Sequence, residues 1–241
     1  MYSRKRLFSR VMFLTPEYLQ AWKDTFPNPS TSPAHYVKYL SIICPEAIKA
    51  LDVEEGGWIT TFSCILHLRV VSHQTCASEL ANCLVLLSGL SQTVTSLTLD
   101  LFIFPSQRVL NFIDKFPLLE NLFVTTWYGS LANSKDSSDK LLTTINSVKS
   151  EGNSHELPTS SNPPAFTGFL NLSLGDGMEP FVPRLLSLPT GLHFRGMRLT
   201  WSNEGDASWT MALLKRCSST LETLSIDFRS IRMSDLYFCL H

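Results

Sequence analysis

Cys64, His67, His73 and Cys76 form a C-x2-H-x5-H-x2-C string, four side chains of the types that hold zinc. Strand alternation argues against such a centre: Cys64 shares parity with Leu66 and Leu68, which the apolar pattern turns inward, whereas His67 falls on the opposite face. The string therefore predicts no metal. Gly175-Asp176-Gly177 reads as a turn, since neither a phosphate-cradling Lys-Ser/Thr nor an acidic calcium series follows it. No G-x-S-x-G elbow occurs, and the 6 histidines are scattered without defining a general base. Asn171-Leu172-Ser173 matches a glycosylation acceptor, but it falls within a predicted strand. These patterns predict a protein that is not an enzyme and needs no cofactor.

Bulk composition narrows the classes further. With 241 residues, 44% hydrophobic and 17% charged, the chain can bury a substantial core. A formal net charge of -1 gives no global basic field, so nucleic acid is not an expected partner. The 6 cysteines form no C-x-x-C pair and are too sparse for a disulfide scaffold, which points to reduced thiols in the cytoplasm or nucleus. The basic start (Arg4, Lys5, Arg6, Arg10) is followed by no continuous apolar segment, because Arg10 and Glu17 interrupt it. No run approaches the roughly 18–20 apolar residues that cross a bilayer, so no membrane partner is expected.

The elements that would position any site come from a repeated triplet, with large apolar residues at positions 1, 4 and 6. It occurs at Val37/Leu40/Ile42, Ile65/Leu68/Val70, Val94/Leu97/Leu99, Leu119/Leu122/Val124, Phe169/Leu172/Leu174, Phe194/Met197/Leu199 and Leu221/Leu224/Ile226. The starts are 25 to 29 residues apart, with one double interval of 50, and this is the period of leucine-rich repeats. Between the triplets, Leu80/Leu84/Leu87/Leu90, Val109/Leu110/Ile113/Phe116, Phe181/Leu185/Leu188 and Trp209/Leu213/Leu214 have helical spacing. Strand followed by helix followed by strand predicts parallel pairing. The expected fold is an α/β leucine-rich-repeat-like solenoid with a curved parallel β-sheet and irregular outer helices. Residues 1–35 are expected to form an N-terminal connector or cap, residues 36–241 the solenoid, and Ser/Pro-rich residues 133–164 a flexible insertion with a weak helix near 141–148.

The phrases "FPNPSTSPAHYVKYLSI", "WITTFSCILHLRV", "QTVTSLTL", "FIDKFPLLENLFV", "LLSLPTGLHFRGMRLTW" and "CSSTLETLSI" occur in this order. Together they resemble the fungal F-box/leucine-rich-repeat-like proteins over nearly the whole chain. The resemblance implies a substrate-recognition part of an SCF-type ubiquitin ligase receptor, docked to Skp1 and cullin through an upstream F-box. Residues 1–35 contain no Leu-Pro-opened F-box pattern, and the repeats lack the turn asparagine, with Pro45, His73, Phe102, Trp127, Gly177, Ser202 and Arg229 in its place. Skp1 and cullin are thus expected partners only if an F-box lies upstream. The missing F-box and the short stretch from Ile226 to His241 point to a fragment or shortened paralogue; a free-standing scaffold is the alternative.

Recognition is expected on the open face of the sheet. If positions 4 and 6 turn inward, positions 3, 5 and 7 share the other face. From these the expected protein-binding residues are Tyr39, His67, Arg69, Thr98, Asp100, Asn121, Phe123, Asn171, Arg198, Thr223 and Asp227. Trp127 and Trp201, just after predicted strands, read as packing residues beneath the adjoining loops.

Overall fold

A computed structural model describes residues 4–43, 58–72, 84–90, 92–101, 106–126, 166–174, 181–188, 191–202 and 204–228. Eight strands build one sheet: β1 (Arg10–Phe13), β2 (Tyr39–Ile42), β3 (His67–Ser72), β4 (Ser96–Leu101), β5 (Asn121–Thr126), β6 (Phe169–Ser173), β7 (Gly196–Trp201) and β8 (Thr223–Phe228). All are parallel, and their spatial order is their sequence order. The Cys64–Cys76 string, the 133–164 insertion and Trp127 lie wholly or partly outside the described residues: His73 and Cys76 are among those not described.

The apolar periodicity becomes two continuous rows across the sheet. Leu40, Leu68, Leu97, Leu122, Leu170 and Met197 are register partners, as are Ile42, Val70, Leu99, Val124, Leu172 and Leu199. None is more than 1% exposed, and burying each such side chain stabilises the fold by about 1.5–3 kcal/mol. Helices flank the sheet and close this core: Pro16–Thr25, Ser106–Ile113, Val182–Leu186 and Asp206–Cys217, with 3-10 turns at Trp58–Thr61 and Ser88–Leu90. In Ser106–Ile113 and the turn after it, Val109, Ile113 and Phe116 are buried, three or four residues apart as one helix face requires. Pro16 opens its helix at a position where the missing N–H costs nothing, with Glu17 in the first turn and Lys23 in the last.

The segment expected as a cap contributes a strand of its own. β1 pairs with β2 from Arg10 opposite Tyr39 to Phe13 opposite Ile42. Behind it, Trp22 meets Phe8 and Phe13 edge-on at 5.9 and 6.0 Å. The first unit is thus built like those that follow, with an aromatic cluster replacing leucines.

A shared hydrogen-bond device starts the strands. The Ser9 carbonyl accepts from the N–H groups of both Lys38 and Tyr39, the Lys38 carbonyl from Leu66 and His67, the Leu66 carbonyl from Thr95 and Ser96, and the Thr95 carbonyl from Glu120 and Asn121. Gly168 and Arg195 repeat it before β7 and β8. Only at β6 does it change. There the Glu120 carbonyl takes the Gly168 N–H at 3.1 Å, and the Asn121 side chain accepts from the Phe169 N–H at 2.8 Å.

The β6 entry also corrects the sequence reading. Phe169 was expected at inward position 1, but Leu122 pairs with Leu170, so Phe169 belongs to the outward rows and the inward aromatic is Phe166, fully buried. Phe166 lies one residue earlier than the triplet spacing allows, and its φ of 45° takes up the extra residue, a left-handed conformation that is costly for a side chain with a Cβ. A Cβ on Gly168 would collide with the Asn121 carboxamide, so glycine is required there.

Candidate functional site

The register assembles the outward residues into three rows. The first runs Arg10, Tyr39, His67, Ser96 and Asn121 across β1–β5, and continues with Phe169, Gly196 and Thr223. The second runs Met12, Ser41, Arg69, Thr98, Phe123, Asn171, Arg198 and Ser225. The third runs Val71, Asp100, Thr125, Ser173, Thr200 and Asp227. All eleven expected binding residues therefore stand on one face. Their availability differs.

Four of them are committed to one another. Arg69 donates from Nε and Nη2 to Asp100 Oδ2 at 2.9 and 2.7 Å. Arg198 donates to Asp227 Oδ2, from Nε at 2.8 Å and Nη2 at 2.8 Å. Both pairs run diagonally, from the second row of one strand to the third row of the next. The hydrogen bond to Asp100 raises the Arg69 guanidinium above its usual range, against the opposing effect of burial; the Asp100 charge and Tyr39 add to the rise. Both arginines therefore stand on the face with their charge already balanced.

Asn121 is also partly spoken for, because its Oδ1 caps the Phe169 N–H. Phe169, absent from the expected set, joins the face instead: its ring stacks on Phe123 with centroids 5.9 Å apart and planes 20° from parallel. Gly196 makes room for it, since a Cβ there would strike the Phe169 ring. The pair forms a half-exposed aromatic platform at the centre of the sheet. Shorter side chains sit below the level of their neighbours; Ser41, between Met12 and Arg69, is fully buried, and its hydroxyl and that of Ser173 have no hydrogen-bond partner among the described residues.

Arg10 is the other residue the sequence reading missed. Its guanidinium lies 5.0 Å from the Tyr39 ring centroid, and Tyr39 faces His67 at 6.2 Å. A signal was available: Phe8, Val11 and Phe13 repeat the 1-4-6 triplet, which places Arg10 at position 3.

Among the described residues no three His, Cys, Asp or Glu side chains gather to hold a metal ion; Cys64 is exposed and Cys217 is buried, its thiol pushed above 9.0 mainly by that burial. A polar hollow lined by Pro29, Ser30, His35, Thr60, Thr61 and Ser63 contains one titratable ring, that of His35, whose Nδ1 is 2.8 Å from the Ser32 carbonyl. Trp201 packs beside the helix Asp206–Cys217, its indole N–H donating to Thr210 Oγ1 at 2.9 Å. Among the described residues no helix is long and apolar enough to cross a membrane. No family model, curated protein or solved structure matches the chain.

Proposed function

We propose that this chain is a protein-recognition module, a leucine-rich-repeat-like solenoid that reads its partner with the outward face of the sheet. The observation that carries the reading is the central platform of Phe123 and Phe169 in register with exposed Arg198 and His67. Aromatic and arginine side chains dominate interface hot spots, and a parallel sheet normally has both faces covered. Sequential units that each contact their neighbours fit an extended binding surface.

The finer reading is the substrate-recognition part of an F-box-type ubiquitin ligase receptor, and its support is the resemblance of the repeat phrases. The alternative is a free-standing scaffold that binds targets without recruiting a ligase; residues 10–25, which form β1 and its helix, belong to the sheet unit in either case. Co-purification with Skp1 separates the two.

The test of recognition is affinity capture with two charge insertions. Phe123→Arg alters the face; Met211→Arg alters a 65% exposed position on the helix Asp206–Cys217. Loss of the captured proteins with Phe123→Arg and retention with Met211→Arg is the expected result. Equal retention by both removes the face from the account.

A further inference from the structure

The two ends of the outward face differ in charge. Across β1–β3 the rows hold Arg10, Met12, Tyr39, Ser41, His67, Arg69 and Val71, with no carboxylate. The first acidic side chain of the rows is Asp100 on β4, and it is engaged by Arg69. Arg10 makes no ion pair among the described residues. Its contact is the face of Tyr39, which orients a guanidinium while leaving its N–H donors free for a carboxylate. Lys38, at the entry to β2, is exposed, and so is His67. At the equivalent entry positions of β5, β7 and β8 stand exposed Glu120, Arg195 and Glu222. Towards the other end exposed basic and acidic side chains thus stand side by side, whereas the rows of β1–β3 carry basic groups with no carboxylate among them.

We infer that the β1–β3 end of the face docks an acidic protein segment whose Asp or Glu carboxylates meet Arg10 and His67 on the face and Lys38 at the strand-entry edge beside it. This rests on the protein-recognition reading and names the partner chemistry. Arg10 and His67 stand two strand spacings apart, about 10 Å. Carboxylates two residues apart on an extended segment are separated by about 7 Å, and side-chain reach covers the difference. Tyr39 lies between them as an apolar floor for the segment's backbone. A neutral partner would leave Arg10 unpaired, and a basic one would be repelled.

The test is binding of a fluorescein-labelled deca-glutamate peptide to the full chain at low ionic strength, followed by anisotropy. Arg10→Ala combined with Lys38→Ala is expected to weaken binding about tenfold or more, as loss of two interfacial charges should, and Arg10→Lys to restore part of it. Because both substituted positions are exposed, thermal melts should match the wild type. Absence of binding, or binding unchanged in the double variant, overturns the inference. So does equal or tighter binding of single-stranded oligothymidylate lost in the same variant, which would mark a general polyanion surface. If the peptide fails while Phe123→Arg still abolishes protein capture, only this inference falls; if both fail, the recognition reading falls with it.

Discussion

The Arg69–Asp100 pair on β3 and β4 and the Arg198–Asp227 pair on β7 and β8 have the same geometry four strands apart. Their surroundings are not alike. The side chains of the first pair are 38% and 15% exposed, those of the second 55% and 43%. Asp100 lies on a strand covered by neighbours on both sides, whereas β8 pairs only with β7 among the described strands. A charge pair shielded from water is stronger and less sensitive to salt than the same pair in solvent. Identical contacts therefore carry different energies, and the sheet's position sets the difference.

Core truncation should show the contrast most strongly. Leu97 is 0% exposed and Leu224, in the same row, 43%. Leu97→Ala is expected to cost about 2–5 kcal/mol, as buried leucine truncations do, and Leu224→Ala less than about 1 kcal/mol for a partly exposed site. Chemical denaturation of both variants measures this directly. Equal losses would mean that β8 is as well packed as β4.

The ion pairs themselves come next. Asp100→Ala leaves a half-buried guanidinium without its acceptor and should cost about 1–2 kcal/mol, nearly independent of added salt. Asp227→Ala should stay within about 0.5 kcal/mol and shrink further as salt is raised. The hydrogen bond to Asp100 holds the Arg69 guanidinium above its ordinary range, so on the alkaline side the contribution of the first pair persists until pH climbs through that raised value. A salt titration of the two variants that gave parallel curves would contradict the comparison.

A smaller effect is expected at the β6 entry. Asn121→Ala removes the acceptor of the Phe169 N–H and should cost about 1 kcal/mol; Asn121→Asp, which keeps an oxygen there, should cost less. Thermal melts compare them. The smallest effect concerns pH. Because burial raises the Cys217 thiol above 9.0, the unfolded thiol ionises before the folded one. Its contribution is complete below about pH 9 and is lost as pH rises through the folded value. Stability measured on the alkaline side should fall less steeply in Cys217→Ala than in the wild type.

The inward rows were legible because leucine at positions 4 and 6 obeys the strict alternation of a strand. Seven strands followed from that spacing. β1 was not read because its triplet is aromatic and lies behind a basic start, although Phe8, Val11 and Phe13 keep the same interval. Phe169 was misassigned because an extra residue, absorbed at Phe166 by a positive φ, shifts the apolar signal by one position without changing residue type. Parity alone correctly placed all eleven candidate residues on one face. It carried no information on cross-strand partners, so the engagement of Arg69 with Asp100 and of Arg198 with Asp227 required the register. Asn121 shows the same limit: its role follows from a backbone N–H left without the usual carbonyl at one strand entry.

The central claim is that the outward rows of the sheet meet a protein. The most direct measurement places a photo-crosslinking residue at Thr98, in the middle of those rows, and in a second protein at Met211 on the flanking helix. Irradiation in a native extract is expected to give discrete adducts from position 98, competed by excess unlabelled wild-type chain, and none from position 211. Discrete, competed adducts from position 211 alone would contradict the account.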